Sequence, residues 1–274
     1  MKKILLLLLC ALFALNSMAQ FKMLKKGAST KSDSIDNVKM IVSYDMTWIV
    51  DTLKSPLKPK SEVMWLEIGN KVSKFYSKAK AEQEALIAEQ IMKGGMISLT
   101  NHVNIYASLF RDYPTSGKYW NMDDCGTSTL AYEEDVEFPT WEINGDSVKT
   151  ILDYSCRMAT ARFRGRTWKA WYAEDIPTDE GPWKLKGLPG LVLRASSVDG
   201  HYSFEVTGME MDKSGRVITC DNNDVEKVSR KEFYKTRRRY KQDPMSFLSN
   251  DKSIKIIASE GAKRKARAYN PIEE

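Results

Sequence analysis

Residues 154–173 restrict the fold of this chain more than any other stretch. Two strand-forming runs, 154–163 and 166–172, flank Arg164-Gly165. A two-residue loop with glycine in second place suits a primed hairpin turn, whose twist matches that of the strands it joins. Such a loop also sets the register. Phe163 then opposes Arg166, Ala161 opposes Trp168, Ala159 opposes Ala170 and Met158 opposes Trp171. Small residues across from Trp168 leave room for its ring. Because side chains alternate along a strand, Cys156, Met158 and Trp171 are expected on the other face. The chain then bends repeatedly, at Ile176-Pro177, Gly181-Pro182 and Gly187-Leu188-Pro189-Gly190. Proline fixes φ and glycine permits positive φ, so this segment is bent but stiff.

The rest of the chain repeats the strand-and-turn pattern. Residues 38–52 alternate as a first strand, with Val42, Tyr44 and Met46 on one side. Residues 62–77 read as a hairpin through Gly69-Asn70, and 104–111 as a short strand before the 114–117 turn. Asp123-Asp124-Cys125-Gly126 reads as loop. Strands are expected over 129–137 and 140–143, with a turn at Asn144-Gly145, and again over 191–197, 201–207, 209–211 and 216–220. Residues 78–93 favour a helix ended by Gly94-Gly95. A second helix is expected over 229–242, with Ser229 as N-cap, Pro244 as a stop, and Phe233, Tyr234 and Tyr240 on its core side. Strand–helix alternation is absent, which excludes a parallel α/β sheet. The expected fold is mainly β: an antiparallel meander forming a curved sheet or partial barrel, with one or two helices packed on it.

The amino terminus reads as a signal peptide, residues 1–19. Lys2 and Lys3 precede an apolar run over 4–15, and Ser17-Met18-Ala19 supplies small residues for cleavage, so the mature chain would begin at Gln20. The apolar run is shorter than the ~20 residues of a membrane span, and no later stretch is long and apolar enough to cross a bilayer. Residues 20–37 read as a flexible leader and 38–274 as a single β-rich domain with a basic C-terminal segment. The formal charge is +6. Loss of Lys2 and Lys3 leaves +4, and from Val225 onward 14 Lys/Arg stand against 7 Asp/Glu. The basic balance therefore belongs to the tail and not to the whole chain. Cys125, Cys156 and Cys220 remain after cleavage. In an oxidising compartment three cysteines allow one bridge and one free thiol. Cys156 and Cys220 both fall in expected strands, so that pair is the expected disulfide.

A family resemblance gathers around the bent segment. Gly187-Leu188-Pro189-Gly190-Leu191-Val192 resembles the signature of the GLPGLI family of secreted proteins from the Bacteroidetes group, with Val192 in place of isoleucine. Tyr154-x-Cys156, Phe163-Arg164-Gly165-Arg166, Ala170-Trp171-Tyr172, Ile176-Pro177 and Gly181-Pro182-Trp183-Lys184 fit the same pattern, as does the closing Tyr269-Asn270-Pro271-Ile272-Glu273. The resemblance implies export to the periplasm, the outer membrane or the medium. It supplies no reaction.

Catalytic constellations are missing from the sequence. His102 and His201 stand alone, and no Gly-x-Ser-x-Gly elbow, His-Glu-x-x-His or cysteine pair with metal-ligand spacing is present. No cofactor or metal is implied. Trp168, Trp171 and Trp183, with Arg166, Glu174 and Asp175 nearby, are the candidate binding residues, since tryptophan stacks on sugars or apolar groups. Gly187, Leu188, Pro189, Gly190 and Leu191 are expected to act through backbone conformation. The leading functional expectation is an exported, non-catalytic binding or accessory protein of the cell envelope, whose partner is an envelope protein or an apolar or glycan ligand. An alternative is a hydrolase using Glu174, Asp175 and Glu180, because paired carboxylates serve glycoside hydrolysis. A third is a structural envelope component held by the basic clusters Arg237-Arg238-Arg239 and 263–267. Export and the lack of a base-reading motif make nucleic acid an unexpected partner.

Overall fold

The computed structural model describes residues 32–94, 102–126, 128–244 and 266–273. The expected signal peptide, most of the leader and Lys263, Arg264 and Lys265 of the second basic cluster lie outside the described residues. Fourteen strands are present among them: β1 (Asp33–Asn37), β2 (Met40–Ile49), β3 (Pro59–Ile68), β4 (Ser73–Ser77), β5 (Ser108–Arg111), β6 (Lys118–Cys125), β7 (Ser128–Asp135), β8 (Glu142–Ile151), β9 (Tyr154–Phe163), β10 (Arg166–Ala173), β11 (Leu191–Ser197), β12 (Tyr202–Met211), β13 (Val217–Cys220) and β14 (Val225–Lys227). Twelve of them form one sheet in the order β14-β7-β6-β5-β4-β3-β2-β12-β11-β10-β9-β8, and β1 pairs separately with β13. All pairings are antiparallel except β14 with β7. The fold is mainly β, as the alternation and turn spacing required.

The central hairpin has the expected register. Phe163 pairs Arg166, Ala161 pairs Trp168, Ala159 pairs Ala170 and Met158 pairs Trp171. Arg164 and Gly165 have φ of 49° and 84°, the positive values of a type I′ turn. Trp168 is fully buried above Ala161, with its ring 5.8 Å from Trp183 and 6.3 Å from Phe204.

Cys156, expected on the face opposite Trp168, is fully buried all the same and belongs to the main core with Ala159, Phe163 and Trp168. Three local readings are corrected. The register irregularities lie in the neighbouring strands: β8 skips residues between Asn144 and Val148 and β11 skips one opposite Trp171/Tyr172, while β9 and β10 pair with each other without a break. Asn144-Gly145 is accordingly part of β8 at that irregularity and does not reverse the chain. Asp123–Cys125 is the end of β6, where Asp123 is held by Arg237, so the loop-like composition was overridden by tertiary pairing. Finally, 33–37 is not loose leader. The Asp36 carboxylate accepts hydrogen bonds from the backbone N–H groups of Lys71 (2.6 Å) and Val72 (3.0 Å), and Ile35 packs on a small core that contains Ile41, Phe110, Trp120 and Ile218.

Two helices of the described residues lie on this sheet. Helix α1 (Lys78–Met92) is capped by the Ser77 hydroxyl, which accepts from the Lys80 N–H, and buries only Ile87. Helix α2 (Arg230–Gln242) is capped by Ser229 and buries Phe233 against Tyr132, with Tyr234 and Tyr240 beside it. The sheet curls without closing. Strands β7 and β9 stand near opposite ends of its order, yet Arg164 in the β9–β10 turn reaches Glu134 of β7 (3.3 Å) and Glu137 (2.9 Å). Side chains and two non-strand segments, 174–190 and 266–273, fill the seam between the ends.

Candidate functional site

The concave face of the curled sheet holds a cavity of about 460 Å³. Its apolar lining comes from inward positions on successive strands: Met46, Met64, Phe75, Leu109 and Phe204, with Trp183 from the bent segment. These positions face one way because side chains at i and i+2 share a face, and twist carries that face round into a bowl. Helix α2 contributes Phe233, Tyr234 and Tyr240, and residues 267–273 form another wall. Residues 102–107 form a third. That wall is fixed by the buried Glu62 carboxylate, which accepts from the backbone N–H of Asn104 (2.8 Å) and from the Ser77 hydroxyl. Lys60, His102, Lys241 and Arg267 stand among the lining residues as polar rim. A volume in the 300–1,000 Å³ range, apolar walls and a few polar groups are the usual composition of a small-molecule site.

The closing segment 266–273 is strapped across this cavity by direct hydrogen bonds. Arg166, only 5% exposed, donates to Asn270 Oδ1 (2.7 Å), the Pro271 carbonyl (2.6 Å) and the Ile272 carbonyl (3.1 Å). Asp199 holds Arg166 from the other side at 2.5 Å. Tyr202 donates to the Asn270 carbonyl (2.5 Å), and Asn270 Nδ2 donates to the Ile49 carbonyl (2.7 Å). The Arg267 N–H donates to the Gln242 carbonyl at the end of α2 (2.9 Å).

Beyond Ile272 the strap enters a buried ionic cluster. Lys184 is fully buried and contacts Glu134 (2.6 Å) and Glu273 (2.8 Å). Arg230 lies 3.3 Å from Glu134 and 3.4 Å from Glu273, and Arg164 lies 3.9 Å from Glu273. Burial pushes the Glu134 carboxyl up, but the Lys184 ammonium, Arg164 and Arg230 outweigh it and hold it below the ordinary carboxylate value. A second cluster lies next to it, where Lys186 reaches Glu180 (2.8 Å) and Arg111 reaches Glu180 and Asp179, both at 3.1 Å. Burial lowers the Lys186 pKa despite Glu180.

The six binding candidates from the sequence do not converge. Trp183 lines the cavity and Arg166 holds its strap. Trp168 sits behind Trp183 and Phe204 in the core, so its ring is packing and not contact surface. Trp171 is half-buried, and Glu174 and Asp175 are exposed, with Glu174 3.5 Å from Arg157. The acids of the 174–180 loop are therefore split between solvent and the Arg111–Lys186 cluster. The expected Cys156–Cys220 bridge is absent. All three thiols are free and buried, Cys156 in the main core and Cys220 in the separate core under β1 and β13. Cys220 was assigned to the same meander, whereas β13 leaves the large sheet to pair with β1. Among the described residues no His/Cys/Asp/Glu group could hold a metal, and no helix is long and apolar enough to cross a membrane.

Sequence reasoning missed Met46, Met64, Phe75, Leu109 and Phe204 as a shared lining. Their alternation was visible, but which strands meet across the bowl was not. The strap was visible only as the Tyr269-Asn270-Pro271-Ile272-Glu273 match.

The bent segment carries its glycines for backbone reasons. Gly187 has φ +89°, and a Cβ on Gly190 would lie 2.2 Å from the Ala173 carbonyl oxygen. Residues 162–194, which span this segment and the hairpin before it, match a family described as "Protein of unknown function (Porph_ging)". No curated protein matches the chain. Two solved structures of PNGF-II share its fold, each with a TM-score of 0.52 at 11% sequence identity. The likeness covers 75% of this chain but 34% of the solved one, so the chain spans about a third of the length of those proteins.

Proposed function

We propose that this protein is an exported, non-catalytic binding protein of the GLPGLI type that encloses an apolar or amphipathic ligand in the bowl of its sheet. The observation that carries the reading is the cavity of about 460 Å³ walled by Met46, Met64, Phe75, Leu109, Trp183 and Phe204. Burying a ligand's apolar surface there releases about 25 cal/mol per Å². The Porph_ging match over 162–194 supports the family placement, and the signal-like residues 1–19 support export. The hydrolase alternative loses ground because Glu180 and Asp179 are neutralised by Lys186 and Arg111, while Glu174 and Asp175 face solvent away from the cavity.

The test is native mass spectrometry of protein exported by its own signal, followed by titration with an environment-sensitive apolar dye. Wild type should retain or take up one ligand per chain. Ala107 lines the cavity, and Ala107→Trp should abolish uptake while leaving the melting transition near wild type. A dye that binds Ala107→Trp as well as wild type refutes the reading.

A further inference from the structure

Glu273 occupies a built carboxylate receptor that adjoins the cavity. Its floor is Lys184, fully buried, and its sides are Arg164 and Arg230. Glu134 and Glu137 supply the remaining negative charge, and Glu137 is largely exposed. Glu273 is itself a cavity-lining residue, and Trp183, the neighbour of Lys184, lines the same cavity. One carboxylate thus touches both the ligand space and the cationic cluster, on a strap with no strand of its own. Its other anchors are three hydrogen bonds from Arg166, one from Tyr202, the Asn270 amide on the Ile49 carbonyl and the Arg267 N–H on the Gln242 carbonyl.

We propose that the cavity's ligand is an amphipathic carboxylate whose head group exchanges with Glu273 at Lys184, Arg164 and Arg230, so that loading the cavity releases the strap. This rests on the binding reading above and names its ligand class. The reason is charge balance in a buried place. With Glu273 withdrawn, three cations face Glu134 and the exposed Glu137, and Lys184 keeps one close carboxylate instead of two. A buried charge stripped of a partner is strongly disfavoured, so the strap opens only when another anion replaces Glu273. A neutral apolar molecule fills the bowl but leaves the latch shut. A carboxylate on an alkyl chain does both, placing its chain against Met46, Met64 and Phe204 and its head at the cationic cluster. Exchange of one carboxylate for another conserves charge and needs no co-reactant.

Dodecanoate and dodecanol distinguish the head group from the chain. Calorimetric titration of the full-length protein at neutral pH should give dodecanoate an affinity at least about tenfold above that of dodecanol, the ratio expected when one charge-assisted contact is added. Dodecanoate, and not dodecanol, should accelerate amide hydrogen exchange over 267–273, because the segment leaves its hydrogen bonds. Glu273→Gln weakens the resident competitor and should raise dodecanoate affinity several-fold without changing that for dodecanol. Arg230→Gln, at a half-exposed position, should shrink the preference for dodecanoate, with the melting transition checked alongside. Equal affinities for the two probes would overturn the exchange and leave the cavity reading standing. Binding of neither probe would end both. Dodecanoate that binds tightly but protects 267–273 from exchange would overturn strap release.

Discussion

Gly190→Ala is the substitution whose cost can be worked from geometry. The Gly190 N–H donates to the Leu188 carbonyl (2.8 Å) and the next residue's N–H donates to Ile176 (3.1 Å), so the backbone is tied on both sides. An added Cβ would sit 2.2 Å from the Ala173 oxygen and 2.6 Å from its carbon. The Ala173 carbonyl already accepts from Ile176 N–H at 3.2 Å and cannot retreat without opening that turn. Overpacking of this kind costs about 1–3 kcal/mol, and contact with tied backbone puts this site at the upper end. The smaller unfolded-state entropy of alanine returns about 0.4–1 kcal/mol. The net loss of about 2–2.5 kcal/mol corresponds to a drop of about 4–10 °C in melting temperature for a chain of this size. Gly200→Ala is the control: φ is +72° but nothing lies within 4 Å, so only the left-handed conformation is penalised. Gly187→Ala should fall between them, combining φ of +89° with a Phe138 ring atom at 3.1 Å. Thermal and urea unfolding followed by tryptophan fluorescence reads all three. If Gly190→Ala melts no lower than Gly200→Ala, the close-approach argument is wrong and the glycine serves another purpose, such as ligand contact.

The Asp36 anchor gives a pH dependence. Burial raises its pKa, but hydrogen bonds led by the Lys71 N–H bring it down from 3.8 to about 2. A depressed carboxylate stabilises the fold fully above its unfolded value and loses that contribution as pH falls through its folded value. The stability gap between wild type and Asp36→Asn should therefore be full above pH 3.8 and shrink as pH falls toward about 2. Partial exposure limits the gap to about 1 kcal/mol; a gap that does not change with pH sinks the assignment. The thiols give a third prediction. Burial raises Cys156 and pushes Cys125 and Cys220 up to about 12, so none should react with iodoacetamide in the native protein at neutral pH. All three should be alkylated after denaturation without reductant, and two protected cysteines in that mapping would restore the bridge.

Much of the site's scaffold was legible because local signals and tertiary packing agree there. The Arg164-Gly165 turn, the Phe163–Arg166 register and the caps Ser229 and Gly94 are decided within a few residues by backbone geometry. The reading failed where one residue type serves two contexts. Asn144-Gly145 has turn chemistry but sits in a bulge of β8, and Asp123-Asp124 has loop chemistry but lies in β6, where Arg237 neutralises Asp123. Trp168 and Trp183 looked alike in sequence; packing sent one behind the other, so only Trp183 meets the cavity.

Local chemistry settled most of the strands, the register of the Arg164-Gly165 hairpin, the stiff bends of 174–190 and the two helices, because each depends on φ preferences and on side-chain alternation over short spans. Long-range packing, in contrast, brings Glu134 to Arg164 as the sheet curls, gives Lys184 its partner Glu273 from residues 266–273, and gathers Met46, Met64 and Phe204 into one bowl. Those contacts join residues that lie in different strands and segments, beyond the span of any local pattern. They follow from accumulated strand twist and from the need of each buried charge for a partner, two quantities that no local pattern of residues encodes.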